Sequence, residues 1–445
     1  MSDLLSIGAT GVRAYQTALT TVSDNIANTG VAGYSRRTTT LAEVTSVGGI
    51  AGRALTGSGV AVTGIARVAD QFRAAAVRSA GATLARTETG ATWLDRIQTS
   101  LTGSNLGDRL TGFFTAAESL AADPSSTPQR AVMLENAQSL AASFSTTGSQ
   151  LDQSMTELDA SGQQATATLN SLGTALAQVN DGLGRTGAGG TTAAQLADQR
   201  DQLLEQMSAI ADVGVTTDAL GRATVTLGGQ SGPAFVQGSQ AGHISYARNA
   251  GAVAFSVQQG GTFQAFTPAA GALAGVTEAA GRIADTRASL NALATDFTQE
   301  VNAIQAGGRD LNGQPGAAMF AAGTTPTDIS VALTDPNGIA AASVGGGTRD
   351  SSNLALLQSM RGAHGWETGV TALVSGNAAA LQQRNQVADA QGAIKDGAVA
   401  ARDAVSGVNL DDEAVELLRF QQAYSASSRV IQVARETMQS ILDIR

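Results

Sequence analysis

Residues 22–37 read VSDNIANTGVAGYSRR, and they divide one helix from everything that follows. An apolar-periodic segment arrives at Ile26. Asn28 and Gly30 come next, and these residue types tolerate the left-handed conformation that ends a helix. Gly33, Tyr34, Ser35 and two arginines then read as extended chain. Upstream, Leu5, Val12, Leu19 and Ile26 recur every seven residues, with Gly8, Tyr15 and Val22 at the complementary spacing. One heptad stripe therefore runs along one face of an N-terminal helix.

The far end of the chain carries a matching element. From Val408 the sequence VNLDDEAVELLRFQQAYSASSRVIQVARETMQSILDIR sets Leu410, Ala414, Leu417, Phe420, Tyr424, Ser427, Ile431, Ala434, Met438 and Ile441 on one stripe. Asn409 supplies a cap, and Asp411, Asp412 and Glu413 match the positive end of the helix dipole. Each stripe is the natural partner of the other. Yet Gly8, Gly11, Ala14, Ala18, Ser427 and Ala434 keep the seam thin, so a two-helix pair alone is marginal. The expectation is termini that are disordered in the monomer and fold on polymerisation.

Between the ends lies enough chain for about three domains in all. Amphipathic segments run from Ala66 to about Leu120 through Trp93, Leu94, Ile97, Leu101, Leu110, Phe113, Phe114 and Ala117. After the break DPSSTPQ, Thr127 reads as an N-cap before Pro128. A 3–4 spacing then continues from Leu134 to Leu183, a rod roughly 75 Å long at the helical rise. Near Val213 the period changes: RATVTL, HISYAR and AVAFSVQQG alternate apolar and polar residues between glycine-rich turns, as short antiparallel strands do. Helical spacing returns with Ile283, Leu290, Phe297 and Ile304. Residues 325–365 read as irregular and partly extended, and Trp366–Val405 as a glycine-weakened helix.

The predicted fold is mainly α with an inserted β domain, an elongated α+β multidomain protein. Residues 1–36 and 406–445 form a terminal unit whose helices pair as a coiled coil, 37–212 and 277–405 a long-helix rod, and 213–276 a small outer antiparallel β domain.

Composition excludes several function classes. A net charge of −10, with Lys395 the one lysine, gives no basic footprint for nucleic acid or an anionic membrane. Without cysteine there is no disulfide framework, thiolate zinc site or cysteine nucleophile. The N-terminus lacks a basic region before an apolar core, and no run approaches about 18 apolar residues, so export is expected to use no cleaved signal. His243 and His364 have no partner at metal-ligand spacing. GLGRTG at 182–187 matches a dinucleotide-binding spacing but follows a helix instead of a strand, and reads as a loop between antiparallel helices. Asp310 and Asn312 in RDLNGQPG suit a turn as well as a cation loop. No catalytic, cofactor or metal residue is assigned.

The opening stretch resembles the N-terminal signature of bacterial flagellar axial proteins through Ser23, Asn25, Ile26, Ala27, Asn28, Gly33, Tyr34, Ser35 and Arg36, with Val31 where that family commonly has threonine. The ending is similar to the hook-associated proteins of the first hook–filament junction through Ser406, Gly407, Val408, Asn409, Leu410, Asp411, Glu413, Phe420, Gln421, Gln422, Ala423 and Tyr424. GGRDLNGQPG is similar to that family's middle region. The resemblance implies a structural, non-enzymatic subunit that polymerises at the distal end of the hook, with terminal helices in an inner tube and middle domains outward. Implied partners are further copies of itself, hook protein, the next junction protein on the filament side, and an export chaperone covering Leu417, Phe420, Tyr424 and Ile431. Type III export would deliver it outside the cell. The assembly interface expected on these grounds comprises Leu5, Val12, Tyr15, Leu19, Val22, Ile26, Asn28 and Tyr34 with Leu410, Leu417, Phe420, Tyr424, Ile431, Met438 and Ile441. The alternatives are another axial protein, such as hook protein or flagellin, and a secreted adhesin or enzyme with a helical stalk.

Overall fold

A computed structural model describes residues 2–44, 59–186 and 189–443. Gly187 of the GLGRTG match, Met1 and the last two residues of the terminal unit lie outside these. The backbone of the molecule is one helix, α4 (Thr127–Arg185), 59 residues long and so about 90 Å at 1.5 Å per residue. Pro128 sits in its first turn, where no N–H is needed. The N-cap is Ser126, one residue before the expected Thr127, and it makes no side-chain capping bond. Of GLGRTG, Gly182–Arg185 form the last helical turn and Thr186 the C-cap, so the loop starts later than the glycines suggest.

Before α4 come α1 (Ser2–Ala27), strands β1 (Arg37–Glu43) and β2 (Val60–Arg67), α2 (Gln71–Thr102) and α3 (Leu106–Ala122). After it come α5 (Thr191–Ile210), strands β3 to β9, α6 (Ala272–Gly307), short strands β10 (Phe320–Ala322) and β11 (Ile329–Val331), α7 (Ser352–His364), α8 (Trp366–Ser406) and α9 (Leu410–Leu442). Long helices with an inserted antiparallel β unit are the fold class that the periodicities predict. Two elements escape that reading. The extended chain after Tyr34 is paired as a β1–β2 hairpin and lies on α1. Within 325–365, α7 is a helix anchored by only two large buried side chains, Leu354 and Leu357, too few to show a period.

The rod packs α2, α3, α4, α6 and α8 around an aromatic centre. Phe113 lies edge-on to Phe114 at 5.3 Å and to Phe297 at 5.6 Å, Phe114 stacks on Trp366 at 5.7 Å, and Phe297 meets Phe320 at 5.4 Å. Such pairs contribute about 0.5–1.5 kcal/mol each beyond the area they bury. The expected stripe residues Trp93, Ile97, Leu101, Leu110, Ile283, Leu290 and Ile304 are all buried around it. With Phe144, 6.0 Å from Phe297, these rings form one contiguous cluster.

The β unit comprises β3 (Val213–Thr217), β4 (Ala223–Leu227), β5 (Ala234–Gln237) and β6 (Gln240–Ala241) in one antiparallel sheet, and β7 (His243–Asn249), β8 (Ala252–Gln259) and β9 (Thr262–Phe266) in another. Gly260 and Gly261 both take left-handed φ, 57° and 84°, as a two-residue turn of the hairpin's hand requires. Alternation along β4 buries Ala223, Val225 and Leu227 against Leu169 and Leu176 of α4. Two asparagines of α4 act as extra strand residues: Asn170 exchanges bonds of 2.8 and 3.0 Å with the backbone of Ile244, and Asn180 does the same with Ala223 at 2.8 Å. Glycines in α4 notch it for rings, since a Cβ on Gly162 would stand 2.6 Å from Tyr246, and one on Gly173 2.4 Å from Phe235. The insertion leaves and re-enters at one point, where Gly271 lies against Ile210 and Ala211.

An ionic clamp completes the docking: Asp159 of α4 accepts from the Tyr246 hydroxyl and from Arg248 Nε and Nη2, each at 2.7 Å. The Arg248 guanidinium, with the Tyr246 hydroxyl, holds the Asp159 carboxyl below its ordinary range. Its folded pKa is depressed, so its contribution is complete above about pH 4 and falls as acid titrates it. Asp159→Asn should remove that acid-labile component, seen in denaturant midpoints measured from pH 6 down to about 3. Gly173→Val should cost about 1–3 kcal/mol by overpacking Phe235, whereas Gly281→Ala, facing open space on α6, should gain about 0.5–1 kcal/mol. The same unfolding experiment separates the two signs.

Candidate assembly interface

α1 and α9 run antiparallel with a seam of small residues. Gly8, Gly11, Ala14, Ala18 and Val22 are the buried apolar or glycine positions of α1, one per turn. A Cβ on Gly8 would lie 2.6 Å from Ile431 Cγ1, and one on Gly11 3.1 Å from Ser427 Cβ. Further along, Tyr15 and Phe420 meet at 6.4 Å. The close approach needs the glycines, because any side chain there forces the helices apart. Leu5, Val12, Tyr15, Leu19 and Ile26 are half-buried beside this seam. The larger side chains flank the contact that the small ones make.

At its inner end the seam closes on a polar hub. Asn25, 1% exposed, donates from Nδ2 to Glu413 Oε2 at 3.0 Å and to the Arg37 carbonyl at 2.8 Å. Its Oδ1 accepts the Arg37 N–H at 3.0 Å and the Tyr34 hydroxyl at 2.8 Å. Glu413, also 1% exposed, takes Arg36 Nε on its other oxygen at 2.6 Å. Arg37 stacks over the Tyr34 ring at 4.7 Å. Burial pushes the Tyr34 hydroxyl's pKa up, against the lowering pull of Arg37, so it stays a donor at neutral pH. Asn28 ends α1 by bonding its Nδ2 to the Asp24 carbonyl at 2.7 Å, and Gly30 follows at φ 76°.

The resembling motifs include Asn25, Arg36 and Glu413, but the one physical role read for Glu413 from the sequence is compensation of the helix dipole. Its pairing partners lie 377 and 388 residues away, beyond any local pattern. Asn409 does cap α9, accepting from the Asp411 N–H at 3.0 Å.

On α9, Leu417, Phe420 and Ile431 are half-buried toward α1, while Leu410, Tyr424, Met438 and Ile441 are exposed. A second set lies round the helix: Val415, Leu418, Val430 and Val433 are exposed, Val415 by 65% and Val433 by 59%. α9 is therefore apolar on two sides and covered on one. The spacing 415, 418, 430, 433 was the available signal for this second face.

Elsewhere the residues tested for chemistry are tied into structure. His364 Nδ1 lies 2.8 Å from Asp296 and its ring stacks on Trp366 at 5.0 Å. Asp310 Oδ1 accepts from the N–H groups of Asn312 and Gln314, closing a turn. Among the described residues no group of three or more His, Cys, Asp or Glu could hold a metal, and no helix is long and apolar enough to cross a membrane.

Comparison with known proteins gives concordant matches at two places along the chain. A family model described as the helical domain of flagellar hook-associated protein FlgK matches residues 91–320, a little over half the chain. A model of the C-terminal part of the flagellar basal body rod proteins FlgEFG matches residues 402–444. Flagellar hook-associated protein 1 of Escherichia coli (strain K12) is 28% identical over 344 residues, covering 73% of this chain and 60% of that protein. Its counterpart in Salmonella typhimurium is 28% identical over 342 residues with the same coverage. The match thus spans less than two thirds of these relatives' length. The flagellar hook junction protein FlgK of Burkholderia pseudomallei is similar in fold, with a TM-score of 0.50 at 24% identity, over 56% of this chain and 46% of that one.

Because the chain has no cysteine, the pairing of α1 with α9 is measurable with two introduced labels. Spin labels on cysteines at Thr20 and Ser425, exposed sites on the two helices that leave the small-residue seam intact, report the paired fraction by their distance. Glu413→Ala strands Arg36 and Asn25, and since breaking a buried pair costs about 3 kcal/mol, the paired-to-open ratio should fall at least about tenfold.

Proposed function

The chain belongs to the family of flagellar hook-associated protein FlgK, and on that premise we propose that it is a structural subunit that polymerises at the distal end of the hook to form the hook–filament junction. The observation that carries the proposal is the uncovered second face of α9. A helix apolar on two sides, covered by α1 on one, suits a subunit completed by copies of itself.

In this reading residues 1–36 and 406–445 form the inner, assembling unit, residues 37–212 and 277–405 the rod, and residues 213–276 an outward β domain. The contact set is Leu5, Val12, Tyr15, Leu19, Val22, Ile26, Asn28 and Tyr34 with Leu410, Leu417, Phe420, Tyr424, Ile431, Met438 and Ile441, and Val415, Leu418, Val430 and Val433 add to it. Hook protein lies on one side of the junction and the next junction protein on the other. Before assembly an export chaperone covers α9 around Leu417, Phe420, Tyr424 and Ile431. The subunit acts outside the cell, in the flagellum.

The small-residue seam supports termini that are disordered in the free chain and fold on assembly, because few apolar atoms offset the ordering entropy. Hydrogen exchange on the purified monomer tests this. Residues 2–36 and 406–443 should exchange at nearly unprotected rates while residues 130–180 stay strongly protected. Equal protection at the ends overturns folding on assembly. Leu417→Asp with Ile431→Asp should leave the rod's melting unchanged and abolish incorporation into the flagellum; normal incorporation overturns the interface.

A further inference from the structure

The terminal unit is joined to the rod by residues 28–36 and 407–409, and an open polar cleft of about 810 Å³ lies beside both crossings. Facing these crossings is a row of acids on α5. Asp198, Asp201 and Glu205 share one face, at spacings i, i+3 and i+7. Each receives an arginine: Arg37 and Arg67 from the hairpin, Arg402 from α8.

Asp198 has the central place. Arg37 and Arg67 are directly opposed partners in the β1–β2 register, and like charges facing each other across strands are destabilising. Both are nearly buried, their side chains 5% and 12% exposed. Asp198 lies between them, accepting from Arg37 Nη2 at 3.0 Å on one oxygen and pairing by charge with Arg67 Nε, 2.7 Å from the other, without a hydrogen bond. The hairpin end is electrostatically satisfied only when α5 supplies that carboxylate. Arg37 is also the residue whose backbone Asn25 holds, so the polar chain runs from Glu413 through Asn25 and Arg37 to Asp198. From Arg67 it continues through Asp201 to Arg200, which donates to the Gly221 carbonyl of the β unit.

We propose that Asp198 is a positioning residue that fixes the β1–β2 hairpin at one angle to α4, so that the terminal helix pair, which packs on that hairpin, is seated in one orientation when the subunit assembles. This rests on the structural-subunit reading and adds the device that sets subunit geometry.

The test uses spin labels on cysteines at Glu43 and Thr168, exposed sites on β1 and α4, in the full chain. The parent and Asp198→Glu should each give one narrow distance, and Asp198→Asn a broad or split one, with the rod's melting temperature unchanged. Arg67→Gln provides a second route that leaves α5 intact and should also broaden it. In motile cells lacking their own junction subunit, Asp198→Asn should cut incorporation about tenfold, with rescue by Asp198→Glu. An unbroadened distance in both variants overturns the proposal whatever the chain assembles into. Failure of the unmutated chain to incorporate instead overturns the assembly reading, and the distance result stands apart from it.

Discussion

Every arrangement at the terminal end depends on one buried contact, Asn25 against Glu413. A carboxylate 1% exposed is costly unless all its lone pairs are engaged. Here Arg36 and Asn25 engage it, and Asn25 in turn spends its remaining capacity on Arg37 and Tyr34. The reward is less in stability than in uniqueness. A seam of glycine, alanine and serine has little relief to stop one helix sliding along the other, and a polar contact that works at a single offset supplies the missing register.

The rod is built on the opposite logic. Its centre is Phe113, Phe114, Phe144, Phe297, Phe320 and Trp366, all fully buried, whereas the α1–α9 seam has the one aromatic pair Tyr15–Phe420. Burial of large apolar groups is the dominant favourable term in folding, so stability is graded along the molecule.

Much of this was legible in the residues. The 3–4 spacing of α4, the alternation around 222–260 and the two terminal stripes each report a local period, and a local period survives in sequence. The losses share a cause too. The β1–β2 hairpin is defined by pairing across residues 45–58, α7 by two anchors, and Glu413 and Asp198 by partners far away in the chain. The Leu5, Val12, Leu19, Ile26 stripe shows a different limit: a heptad picks out the bulky residues, while the closest approach of two helices belongs to the smallest ones beside them.

The β unit leaves the helical framework at Ile210 and returns at Gly271, two points in contact. For the rod, the excursion between them is closed at its base like a loop drawn from a single stitch. Its own core is nonetheless shared with the helices, since Leu169, Leu204 and Leu273 are buried with Val225 and Phe235. An insertion closed at its base in this way can change in its turns without moving the two points from which it springs.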